Sequence, residues 1–196
     1  MVILMILVFL GMAAPPTGGA QARRIVLVPI GPGAVEVLSP LETGLNRELA
    51  AAVITAAATP VPEGAYASER RQYLAEDFLP GLTPYRRSGA DLVLGITKVD
   101  LYVAGLNFVF GLADPMQKTA VISLARLDPQ FYGLPQNTPL LQKRALKEAV
   151  HELGHCLGLG HCPDPACIMF FSNTLADTDH KGPGFCPRCR QQLEAR

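Results

Sequence analysis

His151-Glu152-Leu153-Gly154-His155-Cys156-Leu157-Gly158-Leu159-Gly160-His161 carries three of the four histidines in the chain. On a helix, His151 and His155 stand about one turn apart on one face, so two imidazoles can reach one metal ion. Glu152, beside the first of them, is placed to accept a proton from an attacking water without being a ligand. Gly158 lacks Cβ and can adopt a left-handed conformation that ends the helix and swings His161 back as a third ligand. Three neutral nitrogens with an open fourth position describe a catalytic zinc site rather than a closed structural one.

Working outward, Thr138-Pro139 can open the helix that carries this stretch. At about 100° per residue, Leu146, Val150, Leu153 and Leu157 form one stripe, nearly opposite His151 and His155. One face therefore packs on a sheet and the other faces a cleft. The elements for that sheet lie upstream. Arg24–Ile30 is a short β-branched apolar run ended by Gly31-Pro32-Gly33 and reads as a buried strand. Ser39-Pro40 opens a helix expected to run through Ile54, with Leu41, Leu45, Leu49 and Val53 at intervals of four. A short strand is expected near Ala65–Ala67, and a second helix from Ser68, closed by Pro80-Gly81. Asp91–Val103 reads as one long strand, with Asn107–Phe110 and Thr119–Leu127 as two more. Phe131–Pro139 reads as a loop. The expected fold is α+β (α/β-like): a mixed twisted sheet packed by helices, the active-site helix over the sheet, and a small C-terminal lobe. A strand at about 105–112 is expected to form an exposed edge beside the cleft, able to pair with an extended peptide or to be an ordinary hairpin strand.

All five cysteines fall between positions 156 and 189. Cys162 and Cys167 with Cys186 and Cys189 supply four thiolates in two short pairs, the usual set for a structural zinc; two disulfides are the alternative in an exported protein. Cys156 reads as a small buried side chain. His180 has no partner at ligand spacing and reads as a loop or surface residue. Zero net charge, no basic block and no RNA-binding aromatic motif exclude nucleic acid as a partner. With 49% apolar and 17% charged residues, the chain can bury a real core.

The pattern H-E-x-x-H-x-x-G-x-x-H resembles the metzincin metallopeptidases, in which a methionine turn lies beneath the metal. Met169 stands where that methionine belongs. Cys162 directly after the third histidine, Cys167, Met169, and Cys186-Pro187-Arg188-Cys189 together look like an archaemetzincin, and Gln72-Tyr73-Leu74 and Val99–Gly111 resemble that family more weakly. The spacing from Met169 to Cys186 departs from the family's by about a residue. No tyrosine follows Met169 to act as the extra ligand some metzincins use. The resemblance implies a metzincin-type fold and a zinc peptidase, trimming short peptides from the amino end. It further implies two zinc ions per chain, a catalytic one on His151, His155 and His161 and a structural one on the four cysteines, with Glu152 as general base. The rival from another class is a zinc-containing peptide-binding protein of the same fold; the carboxylate of Glu152 argues against it. A purely structural zinc ribbon leaves the histidines unexplained.

Residues 23–196 are read as one catalytic domain, divided into subdomains at 23–160 and 161–196. It is expected to act as a monomer on a peptide or protein substrate, without a stable membrane span. Residues 1–22 are signal-like or anchor-like: an apolar run, a Pro-Gly break and a small-x-small site at Ala20-Gln21-Ala22. They read as an export signal, a short anchor, or a mis-chosen start in a cytoplasmic protein.

Overall fold

The computed structural model describes residues 22–195. Residues 1–21, on which the export reading rests, lie outside the described residues. The elements in order are β1 (Arg23–Ile30), α1 (Val35–Leu49), β2 (Ala51–Thr55), β3 (Tyr66–Ala67), β4 (Gln72–Leu74), α2 (Thr83–Arg87), β5 (Leu92–Thr97), β6 (Leu101–Tyr102), β7 (Gly111–Asp114), β8 (Thr119–Ser123), α3 (Thr138–Cys156), α4 (Leu175–His180) and α5 (Pro187–Glu194), with short 3₁₀ turns between.

Five strands form the main sheet in the order β2-β1-β5-β8-β7; all neighbours are parallel except β7, which runs antiparallel to β8 and forms one edge, with β2 at the other. Side chains alternate across each strand. Ile25, Leu27, Leu92, Leu94, Ile96 and Ile122 point to the face covered by α1 and α3. Val26, Val28, Val93 and Val121 point to the other face, against Phe78, Leu82 and the small sheet β3-β4-β6. Burial on both faces explains why these runs are continuously apolar. Each fully buried leucine or isoleucine here contributes about 1.5–3 kcal/mol. Among the described residues, no helix is long and apolar enough to cross a membrane.

Several expected boundaries are corrected. Helix α1 starts at Val35, before Pro40, and stops at Leu49, where Ala50 turns left-handed (φ 49°) and Ala51–Thr55 pairs with β1 as a strand. The helix expected from Ser68 is a turn followed by β4: Arg71 sits at φ 55°, and the Tyr73 N–H donates to Asp100 O across strands. The long strand at 91–103 breaks into β5 and β6. Asn107–Phe110 makes only one bridge, Val109 to Leu101, because the carbonyls of Leu106 and Asn107 accept from the side chains of Arg70 and Gln72 rather than from a neighbouring strand. The strand at 119–127 ends at Ser123 and continues as a 3₁₀ turn.

Candidate metal centres and cleft

Helix α3 begins as its first residues suggest. The Asn137 side chain accepts from the Leu140 N–H, and Pro139 fits the first turn. Val150 and Leu153 are buried in the core, and the opposite face meets a cleft of about 580 Å³. Gly158 takes φ 87°, the left-handed turn that sends the chain back toward the helix.

The three imidazoles then converge. Their donor atoms all lie within 4.8 Å of one another. His151 Nδ1 bonds Ile168 O at 2.8 Å and His155 Nδ1 bonds Leu159 O at 2.8 Å. A carbonyl can only accept, so both Nδ1 atoms carry hydrogen and both Nε2 atoms present lone pairs. Those two Nε2 atoms are 3.1 Å apart. Two lone pairs at that distance repel unless a cation sits between them, and about 3.3 Å is the separation expected for nitrogens sharing a tetrahedral zinc. Burial is the leading cause that lowers all three histidine pKa values, His151 to about 2, so the rings are neutral at physiological pH. The donor set fits a zinc ion. Met169, wholly buried, lies under this site against Gly154, where an added Cβ would meet its Sδ at 2.5 Å. His180, exposed at the end of α4, is not part of the site.

Glu152 opens on the same cleft. Burial, then the neighbouring Glu148, pushes its pKa up to about 8 in the metal-free protein, while Lys181 pulls the other way. Gly111 on β7 crosses directly over it: a Cβ there would stand 2.6 Å from Glu152 Cγ. The wall opposite α3 is the segment Gly105–Ala113. It is anchored from behind by Arg126, whose guanidinium pairs with Asp100 at 2.7 and 2.8 Å and lies over the rings of Phe108 and Phe131.

Cys162, Cys167, Cys186 and Cys189 form a second cluster, with sulfurs within 4.8 Å of one another. Cys162 Sγ and Cys186 Sγ are 3.8 Å apart, far from a disulfide and close to the roughly 3.8 Å expected between thiolates on one zinc. A hydrogen bond from the Cys189 backbone leads the causes that lower Cys186 to about 7, whereas burial raises Cys167 and Cys189. Cys156 is buried elsewhere, with Sγ near Thr119 O, and burial pushes it up to about 12.

Two side chains that sequence reasoning missed stand beside the first cluster. Glu148 lines the cleft, and Lys181, with no side-chain exposure, lies 2.9 Å from its Oε1. The approach is poorly directed for a hydrogen bond, so charge is what joins the pair. Thr178 Oγ1 donates to the same Oε1 at 2.9 Å. Lys147 and Arg144 hold α4 in place through the carbonyls of Thr178 and Asp179 and the Asp179 carboxylate. Helical spacing from Glu152 could have found Glu148; nothing local points to Lys181.

Residues 48–195 match the model of peptidase family M54. The chain is 47% identical over 178 residues to an archaemetzincin of Pyrococcus furiosus, covering 88% of this chain and 93% of that one. Among solved structures it resembles an archaemetzincin of Methanopyrus kandleri, with TM-score 0.76 and 37% identity over 91% of this chain and 97% of that one. It also resembles a zinc-dependent peptidase of Methanocorpusculum labreanum, with TM-score 0.79 and 33% identity over 86% and 99%.

Proposed function

The chain belongs to peptidase family M54 and is a zinc metallopeptidase, and we propose that it binds two zinc ions, one at His151, His155 and His161 and one at Cys162, Cys167, Cys186 and Cys189. The observation that carries this reading is the convergence of imidazole Nε2 lone pairs beside a cleft carboxylate. A zinc ion held by His151, His155 and His161 would supply Lewis acidity, lowering the pKa of a water toward neutrality and polarising a peptide carbonyl. Glu152 then takes a proton from the attacking water on its carboxylate and delivers it to the leaving amine. Ile168 O and Leu159 O hold the rings in the tautomer that leaves Nε2 free. Met169 forms the apolar floor. The cysteine site would hold the small C-terminal subdomain, 161–196, together, alongside Ile168, Met169 and Phe185, which pack it onto the core of the N-terminal one, 23–160.

The substrate in this reading is a short peptide laid along the free edge of β7, the only strand edge of the main sheet that borders the cleft among the described residues, and trimmed from its amino end by a monomer. The test is metal analysis of wild type and Glu152→Ala, with both run against a mixed short-peptide library. Two zincs in each and cleavage by wild type alone is the expected result. Two zincs with equal cleavage by both would remove Glu152 from the mechanism, and one zinc would remove one of the two sites.

A further inference from the structure

Helix α3 presents one more carboxylate to the cleft than metal chemistry uses. At about 100° per residue, Glu148 falls between His151 and Glu152 and about 20° from His155, in the middle of the functional face. It is only 2% exposed, yet it lines the cleft with the three histidines. The imidazoles are oriented by backbone carbonyls, so neither His151 nor His155 needs it. Thr178 and Lys181 both approach Oε1, and no hydrogen bond from the described residues ends on Oε2. A nearly buried carboxylate oxygen without a donor, on the wall of a substrate cleft, is matched by a hydrogen-bonding cation. Lys181 cannot be reached from the cleft; it offsets the charge from behind.

We propose that Glu148 is a substrate-binding residue that receives an ammonium group, the free amino terminus of the peptide whose first bond is cut. This rests on the reading of the cleft as a peptidase site. Four residues of helix place Glu148 about 6 Å along the axis from Glu152. In a peptide, the amino nitrogen lies about 2.5 Å from the carbon of its own residue's carbonyl. An amine hydrogen-bonded to Glu148 therefore brings the first carbonyl, and not a later one, to Glu152 and the imidazoles. The ammonium of a lysine side chain stands four methylenes out and fits that gap poorly.

The experiment compares zinc-loaded wild type with Glu148→Gln on matched short peptides carrying a free, acetylated or absent amino group, and on an acetylated peptide beginning with lysine. Wild type should cut the free-amine peptide at least tenfold faster in kcat/KM than the other forms. Glu148→Gln should lose that preference, its kcat/KM on the free-amine peptide falling toward its own value on the acetylated forms. Because Glu148→Gln leaves Lys181 buried without its partner, Glu148→Gln/Lys181→Met is run beside it with zinc content measured. Preference surviving in both variants, equal losses on free and acetylated peptides, or a preference that follows the lysine side chain would overturn the assignment. Should wild type cut nothing, the peptidase reading falls instead, and the anchor is judged by binding of C-terminally labelled peptides: tenfold tighter binding of the free amine sustains it, and equal binding ends it.

Discussion

Replacing Gly111 by alanine tests how closely Glu152 is held. The added Cβ would lie 2.6 Å from Glu152 Cγ, 2.8 Å from Oε1 and 2.9 Å from Cδ. Carbon atoms pack at about 3.5 Å or more, so the shortfall is 3.5 − 2.6, or about 1 Å. Strand β7 is tied to β8 along its length, with Gly111 opposite Ile122, and cannot retreat cheaply. Glu152 must therefore move, and the clash falls near the root of its side chain, where rotation of the carboxylate alone does not relieve it. A displacement of about 1 Å from the reactive position costs roughly a hundredfold in rate. The expected outcome is kcat lower by about two orders of magnitude at unchanged zinc content. Gly81→Ala, where nothing lies within 4 Å of the added Cβ, serves as the control and should match wild type. Wild-type kcat in Gly111→Ala, or a rate loss that merely tracks zinc loss, would refute the reasoning.

Stripped of metal, the protein should lose stability as pH rises between about 4.5 and about 8, because Glu152 holds its proton in the folded state and not in the unfolded one over that window. Urea midpoints of chelated wild type and Glu152→Gln should diverge across it; parallel curves would show that the carboxylate is not so buried. Lys181→Met leaves Glu148 uncompensated and should cost about 3–5 kcal/mol in urea unfolding, most of it recovered in the Glu148→Gln double variant. Additive losses would mean that the two charges do not interact. Cys186→Ser should reduce bound zinc from two equivalents to one and lower Tm by on the order of 10 °C, read by calorimetry with metal analysis. An unchanged metal count would exclude the thiolate site.

Strand interiors, helix α3 and both candidate ligand sets were legible because their signals are local: apolar runs, the i, i+4 histidines, and cysteine pairs. Boundaries that depend on packing were not. Helix α1 runs through Pro40 because Val37 lies on the same buried stripe as Leu41 and Leu45, so core packing outweighs the proline signal. Its end at Ala50 lacks the glycine that usually marks a left-handed cap, and Val53 prolonged the periodicity by chance into β2. Arg70 and Arg71 resemble a first helical turn, yet Arg70 spends its donors on the 106–107 carbonyls. Helix α4 did have a readable start, the Thr174–Asp177 capping box. Glu148 was visible by spacing, whereas its cation comes from 33 positions away and only the fold reveals it.

The loop from His161 to Met169 serves both clusters at once. It ends the histidine set, supplies Cys162 and Cys167, and lends Ile168 O to His151, while the Cys162 N–H donates to Met169 O. If both clusters take zinc as proposed, the shared loop makes their loading a pair of linked equilibria rather than two independent ones. A cation on the sulfurs would hold in place the carbonyl that aims His151 and so raise affinity at the nitrogens, and thermodynamic reciprocity would require the same factor in return. Losing the thiolate ion would then weaken zinc affinity at the histidines while leaving that site able to fill at saturating zinc. A chelator chosen for thiolate sites would loosen the metal at the histidines without touching it.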